Sequence, residues 1–212
     1  MDDFCEKLLN ALQPKEPLSE DALARLEEHY HLLVEWNAQI NLVSRKSLDR
    51  AIVTHYCDSI HLSQRVLPYI QDLSVVELGS GAGFPGIIFS ILNPQVPVGL
   101  YEKNGKKRTF LEEVIDSLGL DHVSLGGVFP EGRQKAFVLN RAVMPREKLL
   151  DFFGRVLLGG SRFNTALGGM GSVTPPPKQF KTLGIHRYEL SQEEGFRRME
   201  ILEVVSRGTK KR

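Results

Sequence analysis

Glycines crowd the stretch VVELGSGAGFPG, Val75–Gly86, directly after the start of an apolar run. Gly81, Gly83 and Gly86 spell G-x-G-x-x-G, the turn that brings backbone close to a pyrophosphate at a helix N-terminus. Glu77, Gly79, Gly81 and Gly83 also spell E-x-G-x-G-x-G, the pattern of a loop that holds S-adenosylmethionine (SAM). A tight strand-to-helix turn uses glycines for packing alone, so three readings stand at this point. A pyrophosphate needs the helix terminus because it is an anion. SAM has no phosphate, and its loop clears room for methionine and ribose while acidic residues face the cationic end. Glu102 closes the next apolar run about twenty residues on, where a carboxylate suits ribose hydroxyls with either ligand.

The elements that must position this loop alternate. SVVELG, VPVGLYE, HVSLGG, AFVLNRAV and SRFNTAL read as strands. FPGIIFSIL, KKRTFLEEVIDSL and REKLLDFFGRVL read as the helices between them, with Pro85 opening the first and Gly119 stopping the second. HRYELS and RRMEILEVVS are two further strands with no helix between them. The sum is an α/β, Rossmann-like fold: a mainly parallel seven-stranded sheet closed by a C-terminal antiparallel hairpin. A hairpin ending is that of the common SAM-dependent methyltransferase fold rather than of a dehydrogenase domain. Glu77 points the same way, since dinucleotide folds usually keep an apolar residue there. So does the motif's late start, at Val75. SAM is the cofactor these features favour over NAD(P).

Residues 1–70 read as an N-terminal helical segment and 71–212 as the methyltransferase domain. Ser19 is an N-cap for a helix from 19 to about 43, with Leu23, Leu26, Tyr30, Leu33, Asn37 and Ile40 on one face. A second helix is expected over about 48–68. At 212 residues and a formal net charge of +1, any nucleic-acid contact has to come from a local patch. Cys5 and Cys57 make no disulfide framework, and no cluster suggests a metal. No apolar run approaches a membrane span, and the acidic start MDDFCEKLL does not resemble a signal peptide, so a cytoplasmic location is expected.

Three segments together carry a resemblance. HLLVEWNAQINLVSR (31–45), HYCDSIHL (55–62) and ELGSGAGFPGIIFSI (77–91) resemble the bacterial 16S rRNA guanine-N7 methyltransferases, also called the glucose-inhibited division protein B family. The likeness runs from about residue 23 to 165. It implies a SAM-dependent enzyme acting on a guanine of small-subunit ribosomal RNA, or on the ribosomal particle, and we expect it to act as a monomer. Gly79, Phe84 and Glu102 match cofactor positions, and 126–128, with Gly127 and Val128, match the segment lining the adenine. Arg141 matches the arginine at the cofactor and substrate mouth and is the candidate catalytic residue. The chain departs from the family at Gly126 and Val128, where Arg-x-Glu is usual. It also departs at Asn140, which replaces a serine, and after the fifth strand, where a lysine is missing. A homologue with weak or altered activity, or a non-catalytic ribosome-binding protein, therefore remains an alternative to the enzyme.

His55 and Asp58, three residues apart, fit a joint between the helices and the core as well as they fit a site. Trp36, Asn37 and Asn41 read as structural, the indole in an interface and the amides tying down a turn. Lys106, Lys107 and Arg108 crowd the start of a helix, against its dipole. Phosphate contact with RNA and a solvated face are both open for that run. The terminal RGTKKR reads as a soluble tail.

Overall fold

The computed structural model describes residues 3–12, 18–129, 135–141, 143–167 and 172–205. Seven strands form one sheet in the order β3-β2-β1-β4-β5-β7-β6. They are β1 (Ser74–Leu78), β2 (Val98–Tyr101), β3 (Val123–Gly126), β4 (Ala136–Leu139), β5 (Arg162–Ala166), β6 (Phe180–Ser191) and β7 (Gly195–Val204). The first five are parallel, and β7 enters antiparallel between β5 and β6. Every residue of β4 is buried, as expected of a central parallel strand covered on both faces. The hairpin makes the sheet mixed, and all seven expected strands are present.

Helices cover both faces. Those before the sheet are α1 (Asp3–Ala11), α2 (Glu20–Asn37), α3 (Arg45–Leu48) and α4 (Asp58–Val66); α5 (Gly86–Leu92), α6 (Gly105–Ser117) and α7 (Arg146–Val156) lie between strands. Leu8, Leu26, Leu33, Tyr56 and Ile60 share one core with Ile87, Phe89, Phe110 and Leu111. The helical segment is thus sealed onto α5 and α6. A second core, built on Phe153, Phe163 and Leu202, fills the α7 face.

The helical segment is more broken than its periodicity suggests. Ser19 does cap α2, its Oγ accepting the Ala22 N–H at 3.2 Å. The helix ends at Asn37, six residues before the expected stop, because Asn37 Oδ1 accepts the N–H groups of Leu42 and Val43 at 3.0 and 2.9 Å. A side chain that folds back onto the chain ahead of it competes with helical hydrogen bonds. The expected helix over 48–68 is three contiguous pieces, a π-helix over Ile52–Cys57, α4 and a 3₁₀ turn over Leu67–Tyr69, with the short α3 set apart before them. A π turn holds one extra residue, and such turns occur frequently at functional sites.

Candidate active site

β1, β2 and β4 end on the same edge of the sheet, and the chain leaves each one there in a loop. After β1, Gly79, Gly81 and Gly83 all have positive φ, at 75°, 57° and 85°. Gly81 shows why: a Cβ there would meet nothing nearer than the Gly79 carbonyl oxygen at 3.8 Å, so the space is open and φ alone demands glycine. Its N–H donates to Glu102 Oε2 at 2.9 Å, while Glu102 Oε1 accepts the Asn104 N–H at 2.8 Å. The Glu102 carboxylate is therefore fixed at the edge of the open loop. Each oxygen keeps a second lone pair for a ligand hydroxyl. An open glycine loop with an oriented carboxylate at its rim fits the ribose and methionine portions of SAM.

Glu77 lies beneath this loop rather than in it. It is buried, and its Oε1 accepts the Gly86 N–H at 3.0 Å, joining β1 to the start of α5. Oε2 has no hydrogen-bond partner. Burial pushes the carboxyl up to about 7, against the pull of the Ser80 hydroxyl, the Gly86 N–H and the Arg141 guanidinium.

Above the loop stands Arg141, just past β4. Its Nη1 donates to the Thr54 carbonyl at 2.9 Å and to Asp58 Oδ2 at 3.2 Å, and Nη2 donates to His55 Nδ1. The guanidinium lies 5.7 Å from the Phe84 ring centroid, and the His55 ring stacks on that same phenyl at 5.0 Å. Since Nδ1 accepts, the His55 proton sits on Nε2, which reaches Ser47 Oγ at 2.9 Å. Burial, and then the Arg141 charge, lower the His55 pKa to about 4, so the ring is neutral and able to accept. Asp58 completes the group by accepting the Tyr188 hydroxyl at 2.7 Å from β6. His55 and Asp58 thus belong to the site's wall, and the π turn delivers His55 and the Thr54 carbonyl to Arg141 together.

One further residue had no reading of its own in the sequence. His29, wholly buried on α2, donates through Nε2 to the Ala82 carbonyl of the glycine loop at 3.2 Å and accepts the Tyr56 hydroxyl at Nδ1, 2.6 Å. Burial lowers its pKa to about 4. The signal available was a histidine inside the apolar stripe of Leu26, Tyr30 and Leu33.

The remaining candidates spread out. Gly127 backs onto Arg108, whose Nη1 would lie 3.3 Å from a Cβ there, and Val128 is 75% exposed. A Cβ on Gly126 would come within 2.8 Å of the Tyr101 ring, so that phenol occupies the room an arginine would need. Lys106 is exposed in the first turn of α6 and Lys107 half-buried. Arg108 instead donates to the carbonyls of Glu102 and Lys103 at 3.2 and 3.1 Å, bracing the end of β2. Asn140 and Asn164 bond reciprocally and join the end of β4 to the middle of β5. Arg133 and Arg146 are the neighbouring basic residues that could take over the orienting role of the missing Arg-x-Glu, but Arg146 is held by the buried Glu200 at 2.8 Å, which removes it from that role. Arg133, the loop 168–171 and the terminal RGTKKR lie outside the described residues. Among the described residues no group of acidic, histidine and cysteine side chains could hold a metal, and no helix is long and apolar enough to cross a membrane.

The model of the GidB family, rRNA small subunit methyltransferase G, matches residues 22–167. The chain belongs to that family. The match spans His29, the glycine loop, Glu102 and Arg141, and SAM is the cofactor it brings. The Ribosomal RNA small subunit methyltransferase G of Porphyromonas gingivalis is 32% identical over 178 residues, 83% of this chain and 80% of that protein. That of Phocaeicola vulgatus is 33% identical over 135 residues, 63% of this chain and 64% of that protein. Among solved structures, a putative O-methyltransferase from Klebsiella pneumoniae superposes with a TM-score of 0.58 at 13% identity, covering 95% of this chain and 96% of that one. At that identity the likeness is one of fold: this GidB chain has the SAM-dependent methyltransferase architecture.

Proposed function

We propose that this GidB-family chain methylates N7 of a guanine in small-subunit (16S) ribosomal RNA. The observation that carries the reading is the family match across a site whose parts converge on one edge of the sheet. When bound, SAM supplies a methyl group on an electrophilic sulfonium. Guanine N7 offers an in-plane lone pair and carries no proton, so no general base is needed to expose it. The work left to the protein is to hold the two partners in line and exclude water. The glycine loop and Glu102 hold the cofactor, and Phe84 and Arg141 stand over it. Arg141 presents a planar cation held by Thr54, His55 and Asp58, and the exposed Lys106 and neighbouring Lys107 are placed to meet phosphates. The proposed substrate supports a cytoplasmic location. The helical segment 1–70 acts with the domain 71–212 rather than beside it, since His29 braces the loop.

The test is transfer of tritiated methyl from SAM to small subunits that lack this methylation, with primer extension or mass spectrometry locating the product. Label at N7 of one guanine is expected. A protein that binds SAM and labels no RNA would overturn the reading. A second reading is favoured by Gly126 and Val128, which leave the pocket without the family's Arg-x-Glu: normal SAM binding with slow transfer. An ordinary enzymatic turnover of about 1 per second or faster would exclude it.

A further inference from the structure

The β6–β7 hairpin reaches past the edge of the sheet on which the site is built. Ala166, the last residue of β5, pairs with Met199, and the parallel strands end on that side. Residues 195–198 of β7 and their β6 partners therefore lie beyond the edge from which the glycine loop and Arg141 emerge. Tyr188 on this extension reaches Asp58, the partner of Arg141, and Arg50 pairs with Glu194 near the hairpin's turn. The extension is thus tied to the wall of the mouth.

Its other face carries a cluster of basic and aromatic side chains. Arg187 and Arg198 are directly opposite each other in the ladder, with Glu189 opposite Phe196. Arg187 lies over the Phe196 ring, with Cζ 3.7 Å from the centroid, although both residues are exposed. Phe196 is 47% exposed and Ile185, on the same face, 50%. A guanidinium already stacked on a phenyl ring has its orientation fixed and its outer plane free for a flat partner. Arginine planes and aromatic rings are the surfaces on which unpaired RNA bases stack. The second arginine beside it supplies positive charge for the adjoining phosphate.

We propose that Arg187, Phe196 and Arg198 form a platform for an unpaired nucleotide of the substrate RNA, next to the segment carrying the target guanine. The base stacks on the outer face of the Arg187 guanidinium, and its phosphate lies between the two arginines. The proposal rests on RNA being the substrate. It places a contact on the hairpin, well away from Lys106 and Lys107 on α6.

The experiment measures binding of the SAM-loaded protein to a single-stranded RNA and to a fully paired RNA of equal length, over a range of salt, alongside methyl transfer to hypomethylated small subunits. Phe196→Ala removes the ring that orients the Arg187 plane and is expected to weaken single-strand binding by up to the effect of losing one stacked base, about 5- to 150-fold, and to leave paired RNA unchanged. Arg187→Lys keeps the charge but not the plane, so it is expected to lose affinity at an unchanged salt slope. Arg187→Gln should also flatten that slope by roughly 0.7 for one phosphate contact on a single strand. SAM affinity and thermal midpoint, measured in parallel, are expected to match the parent and certify the fold. Parental binding and salt slope in all three folded variants overturn the platform, as does equal weakening on paired and single-stranded RNA. Absence of methyl transfer by the unmodified protein would instead overturn the functional reading beneath it.

Discussion

The site has two halves built in different ways. The lower half, from Glu77 to Glu102, is made of neighbours: backbone N–H groups of Gly81, Gly86 and Asn104 meet two carboxylates within a span of 28 residues, 77 to 104. The upper half is made of strangers. Arg141 bonds to residues 83 to 87 positions away, and Asp58 to one 130 away. A half closed by local backbone geometry announces itself as a spaced motif. One closed by packing leaves only isolated polar residues in the sequence, each with a bland alternative.

The halves are expected to break differently. Gly86→Ala strikes the lower half hardest: a Cβ there would press on Glu77 and stand 2.5 Å from Leu100 Cδ2, both buried. Overpacking at such a point costs about 3 kcal/mol or more, read as a lowered melting midpoint with SAM binding lost. Gly81→Ala meets open space and is expected to keep the fold while losing SAM affinity through its strained φ.

Titration separates the halves next. Glu77 has a folded pKa raised from 4.5 to about 7. Between those values the folded chain holds the extra proton, so this stability is present below pH 4.5 and is lost as pH rises through 7. His29 and His55, lowered from 6.5 to about 4, behave oppositely: their contribution is present above pH 6.5 and is lost as pH falls toward 4. The two effects oppose each other between pH 4.5 and 6.5. Glu77→Gln keeps an acceptor for Gly86 and removes one of them. Relative to pH 4.5, its stability at neutral pH is expected to exceed the parent's by about 3 kcal/mol, measured by urea unfolding across that range. An unchanged pH profile would show Glu77 to be ordinary.

Glu102→Ala removes a charged acceptor from the loop and from the ribose, and a loss of about 1.5–3 kcal/mol in SAM affinity is expected by calorimetry. Tyr188→Phe is a cut of similar size on the upper half: one hydrogen bond to the Asp58 carboxylate, about 1.5–3 kcal/mol. Methyl transfer is expected to fall with SAM affinity unchanged. A fall in both would erase the distinction between the halves.

The same division sets what was legible in the sequence. The strands, α5 to α7, the Ser19 cap and the glycine loop follow from periodicity and turn chemistry, which are local. The Asn37 amide reads as tying down a turn, but the stop it imposes does not show in the periodicity, which carries on to about 43, because it turns on one side chain folding back on Leu42 and Val43. The π turn was invisible, since IVTHYC has the composition of any buried helix. His29 was passed over on a face of leucines, its partners being a tyrosine 27 residues on and a carbonyl 53 away. Arg108 looked like part of a charge run until its donors were found on the carbonyls of Glu102 and Lys103. The room at Gly126 belongs to Tyr101, which no spacing rule discloses.

The Asp58–Tyr188 bond also carries a consequence for synthesis. The two residues are 130 positions apart. At about 5–20 residues per second of translation, Asp58 leaves the synthesising ribosome roughly 6–26 seconds before its partner. β5 in turn waits for its neighbour, because β7 is made after β6 and inserts between β5 and β6. A nascent chain can have its glycine loop complete while the clasp beside Arg141 is half made. The clasp on Asp58 is therefore timed by β6, and the pairing of β5 by β7.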